Sequence, residues 1–186
     1  MTEVSSLTGR LLVAAPALTD PNFDRAVVLL LDHDEEGSLG VVLNRPTPVG
    51  VGDILASWAA LTGEPDVVFQ GGPVSLDSAL GVAVIPGDEG PLGWRRVHGA
   101  IGLIDLEAPP ELLGPALGSL RIFAGYAGWG PGQLEGELTE GAWYVVESEP
   151  GDVSSPRPEQ LWRAVLRRQR SELAMIATYP DDPSLN

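Results

Sequence analysis

Residues 125–138 constrain the fold of this chain more than any other stretch, because glycine recurs through them around one tryptophan. They read Gly-Tyr-Ala-Gly-Trp-Gly-Pro-Gly-Gln-Leu-Glu-Gly-Glu-Leu. Glycine adopts backbone shapes that a Cβ atom forbids, and proline is favoured in the first turn of a helix. The run therefore predicts a strand that ends in a tight loop carrying Tyr126 and Trp129. A helix follows, with Gly130 as its N-cap and Pro131 as its first residue.

Two interpretations of this loop stay open. Gly130 has no side chain to cap the helix, so the amides from Gly128 to Gln133 are candidates to face an anionic ligand, unless Gln133 turns back to cap them. Glu135 and Glu137 are two residues apart and therefore do not share a helix face as a carboxylate pair. The favoured interpretation is structural, with the glycines allowing close packing and Trp129 contributing core area.

Strand patterns dominate the first two thirds of the chain. They cover residues 10–15, 26–31, 39–43, 67–69, 80–85, 97–106, 120–124 and 142–147, and helical periods cover 53–61, 111–117, 133–140 and 159–169. Several connections, such as 32–38, are too short for a helical crossover, so neighbouring strands pair antiparallel. This order predicts an α+β fold. Residues 86–93 and 150–158 are rich in Pro, Gly, Asp and Ser and are predicted to be exposed loops.

The length and the charge of the chain restrict the classes of function that it can have. The 186 residues, 44% of them hydrophobic, predict one globular domain over 1–186. The start of the chain lacks the basic and apolar segments of a signal peptide and no membrane-spanning run occurs, which indicates a cytoplasmic protein. The net charge of −15 opposes direct DNA binding, and the lack of cysteine excludes disulfides and Cys-ligated metals.

The segment 32–37, Asp-His-Asp-Glu-Glu-Gly, imitates the start of a calcium loop. Its twelfth position is Leu43, where a bidentate glutamate is required, so the segment is interpreted as a hairpin turn. His33 and His98 are the two histidines, and nothing in the sequence brings them together. We predict no metal and no cofactor.

Two further motifs have functional and structural interpretations. The Gln-Gly-Gly-Pro-Val run that contains Gly71 and Gly72 follows a short strand, as phosphate-binding loops do, but no helix pattern opens after it and a simple turn is favoured. Arg163, Arg167 and Arg170 form a basic stripe on the last predicted helix. The stripe would suit an acidic partner or nucleic acid, but a solvated helix face is favoured.

Four ordered blocks make the chain resemble the YqgE/AlgH family, an uncharacterised bacterial family often labelled a transcriptional regulator. The blocks are residues 9–16, 23–46, 70–74 and 125–138, and Trp143 and Trp162 also fall where the family places tryptophan. The chain departs from the family in having Asp32, where Glu commonly precedes the histidine, and its last residues, from 175, match less clearly. The resemblance implies a curved, partly split, mostly antiparallel sheet that forms a pseudo-barrel with packed helices.

Two functions remain open. The preferred one is a non-enzymatic domain that binds an unidentified protein or small molecule, and affects transcription indirectly, as the family label suggests. The alternative is an enzyme, most simply a hydrolase, that uses His33 and nearby acids. Convergence of His33, Asn44 and the 128–133 loop on one cleft would favour the enzyme. The candidate ligand or partner surface comprises His33, Asn44, Gly71, Gly72, Tyr126, Gly128, Trp129, Gly130 and Gln133.

Overall fold

The computed structural model describes residues 6–87, 89–170 and 172–180, and its main element is a strongly curled sheet. The strands are β1 Leu11–Ala14, β2 Val27–Asp34, β3 Gly37–Val42, β4 Pro46–Gly50, β5 Val67–Gln70, β6 Val74–Val84, β7 Trp94–His98, β8 Ile101–Ile104, β9 Ser119–Trp129 and β10 Trp143–Val146. Their order is β10-β1-β2-β3-β9-β6-β8-β7, with β5 against β9 and β4 against β5. All of these pairs are antiparallel except β5–β9.

Short helices pack around the sheet. They are α1 Val51–Ile54, α2 Pro110–Leu113, α3 Gln133–Thr139, α4 Pro150–Val153, α5 Leu161–Arg167 and α6 Leu173–Ile176, with 3-10 turns at Ala56–Leu61, Gly114–Ala116 and Pro158–Gln160. This architecture confirms the predicted α+β class and the mostly antiparallel half-barrel.

The sheet buries side chains on both of its faces. The inner face collects apolar residues from eight strands around α5, including Leu11 of β1, Phe69 of β5 and Phe123 of β9. On the outer face, one cluster lies under α3 and another under α1 and α2. Gly9, just before β1, lies so close to β7 that a Cβ atom there would stand 2.3 Å from the Cβ of His98. Strands far apart in the sheet order therefore meet, which makes the sheet a half-barrel.

Several predicted elements need correction. Residues 97–106 are not one strand but parts of β7 and β8, because the chain turns at Gly99, where φ is +57°. The predicted first helix is a single α turn followed by a 3-10 segment, and β4 was missed because its two prolines weaken the strand pattern. Residues 150–158 are not simply an exposed loop, since α4 begins there and buries Asp152 and Val153.

Candidate functional site

His33 lies in the β2–β3 hairpin, where a polar residue is buried between two exposed acids. Its side chain is 1% exposed, and its Nδ1 is 2.6 Å from the Oγ of Ser38, its partner across the hairpin. On the other side of the ring, Nε2 is 3.9 Å from the Oε2 of Glu135 in α3. The Ser38 hydroxyl, the His33 imidazole and the Glu135 carboxylate therefore lie in a row, with the imidazole in the middle. The same order occurs in sites where a base activates a nucleophile.

An open depression of about 240 Å³ lies beside this group. It is lined by Asp32, Asp34, Glu36, Gly37, Ser38, Leu39 and Trp129. Asp32 and Asp34 are exposed on one face of β2 because side chains alternate along a strand, which also places His33 on the buried face. The turn itself comprises residues 35–36, and the Oδ1 of Asp34 accepts the amide hydrogen of Glu36 at 2.8 Å. The predicted hairpin turn is thus confirmed.

The glycine-rich run forms the end of β9 and the start of α3. At Gly125 φ is +74°, and a Cβ atom there would lie 2.6 Å from the carbonyl oxygen of Gly72. Strand β9 can therefore change partners at this point: before it, β9 pairs with β5 and with most of β6, and after it with β3 and with Val74 at the start of β6. Glycine is required at this position both by the backbone angle and by the close approach of another chain segment.

Glu137 of α3 holds the aromatic part of this run in place. Its Oε1 accepts hydrogen bonds from the indole Nε1 of Trp129 at 3.1 Å and from that of Trp143 at 2.9 Å. Its Oε2 accepts a hydrogen bond from Gln133 at 3.0 Å, and Phe23 stacks on Trp129 with ring centroids 6.2 Å apart. Every polar group of the cluster named here has a partner, so the cluster supports the fold.

The predicted anion site on the loop amides is not formed in this structure. The amide of Gly130 donates to the Oε1 of Gln133 at 3.0 Å, so the capping arrangement considered as the alternative is the one observed. The predicted helical period over 133–140 is confirmed, since α3 begins at Gln133, but the N-cap is Gly132 and not Gly130, and Pro131 lies before the helix. Gly132 has φ +73°, a conformation that delays the start of the helix and that glycine adopts without strain.

Asn44, Gly71, Gly72 and Tyr126 lie away from His33. The side chain of Asn44 donates to the carbonyl oxygen of Arg25 at 2.9 Å and accepts the amide hydrogen of Val27 at 3.0 Å, which ties it to the start of β2. His33 is six residues further along β2, roughly 20 Å away. The structure therefore does not bring His33 and Asn44 into one cleft.

Gly71 and Gly72 pack against the backbone of β9. A Cβ atom at Gly71 would lie 2.4 Å from the carbonyl oxygen of Gly125, and one at Gly72 would lie 2.2 Å from the carbonyl carbon of Tyr126. Strand β6 begins at Val74, so no helix follows these glycines. The two glycines thus allow close packing of backbone on backbone, and the geometry is not that of a phosphate-binding loop.

The basic stripe is only partly as predicted. Helix α5 buries its apolar face, but it ends at Arg167, so Arg170 is not on it. Arg163 donates to the carbonyl oxygens of Ala177 at 2.7 Å and Tyr179 at 2.6 Å. Arg163 therefore holds the segment after α6 against α5.

Metal and membrane features are absent from the described ranges. Within 6–87, 89–170 and 172–180, no group of three or more His, Asp or Glu side chains is placed to hold a metal ion. In the same ranges, no helix combines the length and the apolar character needed to cross a bilayer.

Comparison with known proteins identifies the family. A profile of the AlgH-like family matches residues 11–174. The chain is 87% identical to a UPF0301 protein of Streptomyces avermitilis over 190 aligned residues, covering 100% of this chain and 98% of that one. A protein of Corynebacterium diphtheriae, solved by crystallography, superposes with a TM-score of 0.89 at 32% identity over 96% of this chain and 95% of that chain.

The AlgH protein of Pseudomonas aeruginosa, solved in solution, superposes with a TM-score of 0.69 at 26% identity, covering 97% of this chain and 98% of that chain. The half-barrel and the four motif blocks thus define one class of α+β protein. The chain belongs to the AlgH-like family, which confirms the resemblance inferred from the motifs.

Sequence reasoning missed residues whose roles depend on contacts between distant elements. Ser38 meets His33 across the hairpin, whereas Glu135 and Glu137 acquire partners only because the hairpin, the end of β9 and α3 meet. One signal was present, since Glu137 and Gln133 are four residues apart and share a helix face.

Proposed function

We propose that this protein is a non-enzymatic, cytoplasmic binding domain that recognises a basic segment of a partner protein through the acidic depression beside the β2–β3 hairpin. The observation that carries the proposal is the lining of this depression by Asp32, Asp34 and Glu36. In the described part of the chain, no arginine or histidine lies within 4.0 Å of these three carboxylates.

Electrostatics favour a cationic partner. Unpaired charges of one sign around a concave surface concentrate the electric potential, and the net charge of −15 adds to the attraction. Such complementarity steers association and selects the partner. Leu39 supplies apolar lining, against which the aliphatic stem of a lysine or arginine can pack.

This proposal also offers a physical explanation for the description of the family as transcriptional regulators. An acidic surface opposes the DNA backbone, so an effect on transcription would pass through a protein that itself carries basic residues. We therefore propose an indirect role in regulation, carried by one domain over residues 1–186.

The test measures binding of a fluorescein-labelled (Gly-Arg)4 peptide by fluorescence anisotropy at physiological salt. The triple variant Asp32→Asn, Asp34→Asn, Glu36→Gln is expected to weaken binding about tenfold, because each exposed pair contributes roughly 0.2–1 kcal/mol. The matched control is Asp53→Asn, Glu111→Gln, Glu140→Gln, which removes the same charge from exposed positions elsewhere. An equal loss in both variants would mean that overall charge, and not this depression, attracts the peptide.

A second candidate function, hydrolysis, rests on the Ser38, His33 and Glu135 series. In the tautomer with the proton on Nε2, the Nδ1 of His33 accepts the Ser38 proton as Oγ attacks an acyl carbon, and Glu135 faces the charged ring. Nδ1 then gives that proton to the leaving alcohol or amine as its bond to the acyl carbon breaks, and water hydrolyses the acyl-serine that remains. The candidate ranks lower because the Gly130 amide, which would suit an oxyanion, already donates to Gln133. Labelling of Ser38 by a fluorophosphonate probe, lost in Ser38→Ala, would favour hydrolysis over the binding role.

A further inference from the structure

Arg121 is a buried cation on the inner face of the half-barrel. Its residue exposure is 3%, and its guanidinium lies over the ring of Phe69, 4.3 Å from the centroid. Side chains alternate along β9, so Ser119, Arg121 and Phe123 share this inner face. The site lies apart from the acidic depression and is independent of the binding role proposed above.

The hydrogen bonds of Arg121 are incomplete. Its Nη2 donates to the carbonyl oxygens of Glu64 at 3.2 Å and Ser155 at 2.9 Å. Its Nη1 is buried and has no acceptor, and the buried Oγ of Ser119 also has no partner. Within the described residues, no carboxylate lies within 4.0 Å of this guanidinium.

A buried guanidinium with unsatisfied donors is unfavourable unless a negative charge lies close to it. Buried charges in proteins are normally paired, and a buried donor without an acceptor destabilises the folded state. The same chain follows the usual pattern elsewhere, where the buried carboxylate of Asp152 binds Arg168 at 2.6 Å and 2.8 Å. Burial lowers the pKa of Arg121 to about 10, as expected for a cation without a counter-charge.

We propose that Arg121 anchors a small-anion site inside the half-barrel, which takes a phosphate or carboxylate group of a small molecule. The hydrogens of Nη1 bind the oxyanion, and the hydroxyl of Ser119 offers a further donor on the same face. The contact with Phe69 and the two hydrogen bonds to carbonyl oxygens hold the guanidinium plane in one orientation. Little side-chain entropy is therefore lost when the anion binds. The bound anion supplies the charge that the protein lacks at this position.

Entry to the site involves the connector 154–157, between α4 and the 3-10 turn before α5. Ser155 of this connector accepts a hydrogen bond from Arg121, while Pro156 and Arg157 are exposed. Local opening of a short exposed connector costs less than global unfolding, because few buried contacts are broken. Anion binding is therefore expected to slow amide hydrogen exchange in this connector.

The experiment follows the melting temperature of the full chain in inorganic phosphate, in acetate and in chloride at one ionic strength and one pH. Phosphate or acetate at ten times its Kd should raise the melting temperature by about 4 °C above chloride. The rise should vanish in Arg121→Met. This variant is expected to fold, because a buried position tolerates an apolar side chain of similar size in place of a charged one. Arg95→Met, which removes an exposed arginine from β7, should retain the full rise.

Each outcome has a definite meaning. A rise with phosphate alone assigns a phosphate ligand, and a rise with acetate assigns a carboxylate. No rise with either anion overturns the proposal, as does an equal rise in Arg121→Met. Equilibrium dialysis of radiolabelled phosphate or acetate against the wild-type chain gives a second readout that does not depend on any variant, and less than 0.1 equivalent bound for both would also overturn it.

Discussion

At the scale of single residues, Glu137 explains why a tryptophan in a glycine-rich loop is buried and not displayed. One carboxylate oxygen accepts both indole hydrogens, so Trp129 and Trp143 are buried without leaving a donor unpaired. The same carboxylate binds Gln133, whose other amide atom caps the loop. The loop is therefore a packed support for the depression beside it.

Replacing Trp129 with alanine tests this role. Trp129 is 5% exposed, and truncation of a large buried aromatic costs about 3–5 kcal/mol of unfolding free energy. We expect the melting temperature to fall by roughly 10 °C, measured by circular dichroism. Gln133→Ala, at an exposed position on the same loop, should cost about 1 kcal/mol. If Trp129→Ala melts like the parent, the ring is a recognition surface and not part of the core.

At the scale of elements, α4 shows how a short helix can be stabilised by contacts with residues outside it. Glu149 and Asp152 form a capping box, and the Asp152 carboxylate also makes a two-atom contact with Arg168, just after α5. The hydrogen bond with Asp152 and the nearby negative charges raise the pKa of Arg168, so the guanidinium keeps its positive charge. Four residues rich in Pro and Gly carry no helical period, and the tertiary ion pair compensates for that weakness.

Asp152→Ala should therefore destabilise the fold. We expect a loss of about 2–3 kcal/mol in urea denaturation, below the 3–5 kcal/mol of a fully buried pair because the Arg168 side chain is 28% exposed. The matched control is Glu147→Ala, which removes an exposed pair with Arg10 and should cost no more than about 1 kcal/mol. Equal losses in the two variants would contradict the role given to the buried pair.

At the scale of the whole molecule, the net negative charge distinguishes this protein from proteins that bind DNA directly. The net charge of −15 opposes the phosphate backbone, which normally supplies most of the affinity for DNA. We expect no sequence-specific retention of duplex DNA by the purified protein in a gel-shift experiment at physiological salt. Specific retention at nanomolar protein would contradict this prediction.

The α+β class, most strand positions and the family follow from the sequence because hydrophobic alternation and glycine placement are local signals. The hairpin turn at 35–36 and the buried Trp129 are predictable for the same reason. Short elements are not, since β4 and α4 depend on partners distant in the sequence. The N-cap of α3 was misplaced at Gly130 because the backbone angle of Gly132 is not visible in its residue type.

The candidate site was decided by the tertiary structure. The β2–β3 hairpin places Asn44 at one end of β2 and His33 at the other, so residues grouped by motif are separated in space. Ser38 meets His33 across the same hairpin, packing of α3 brought Glu135 to His33, and closure of the half-barrel buried Arg121 with no carboxylate within 4.0 Å among the described residues. The sequence by itself determined most of the strand positions and how much charge the chain carries. Only the packing of distant segments decided which side chains meet, because contacts across a sheet depend on register and curvature, which no local pattern encodes.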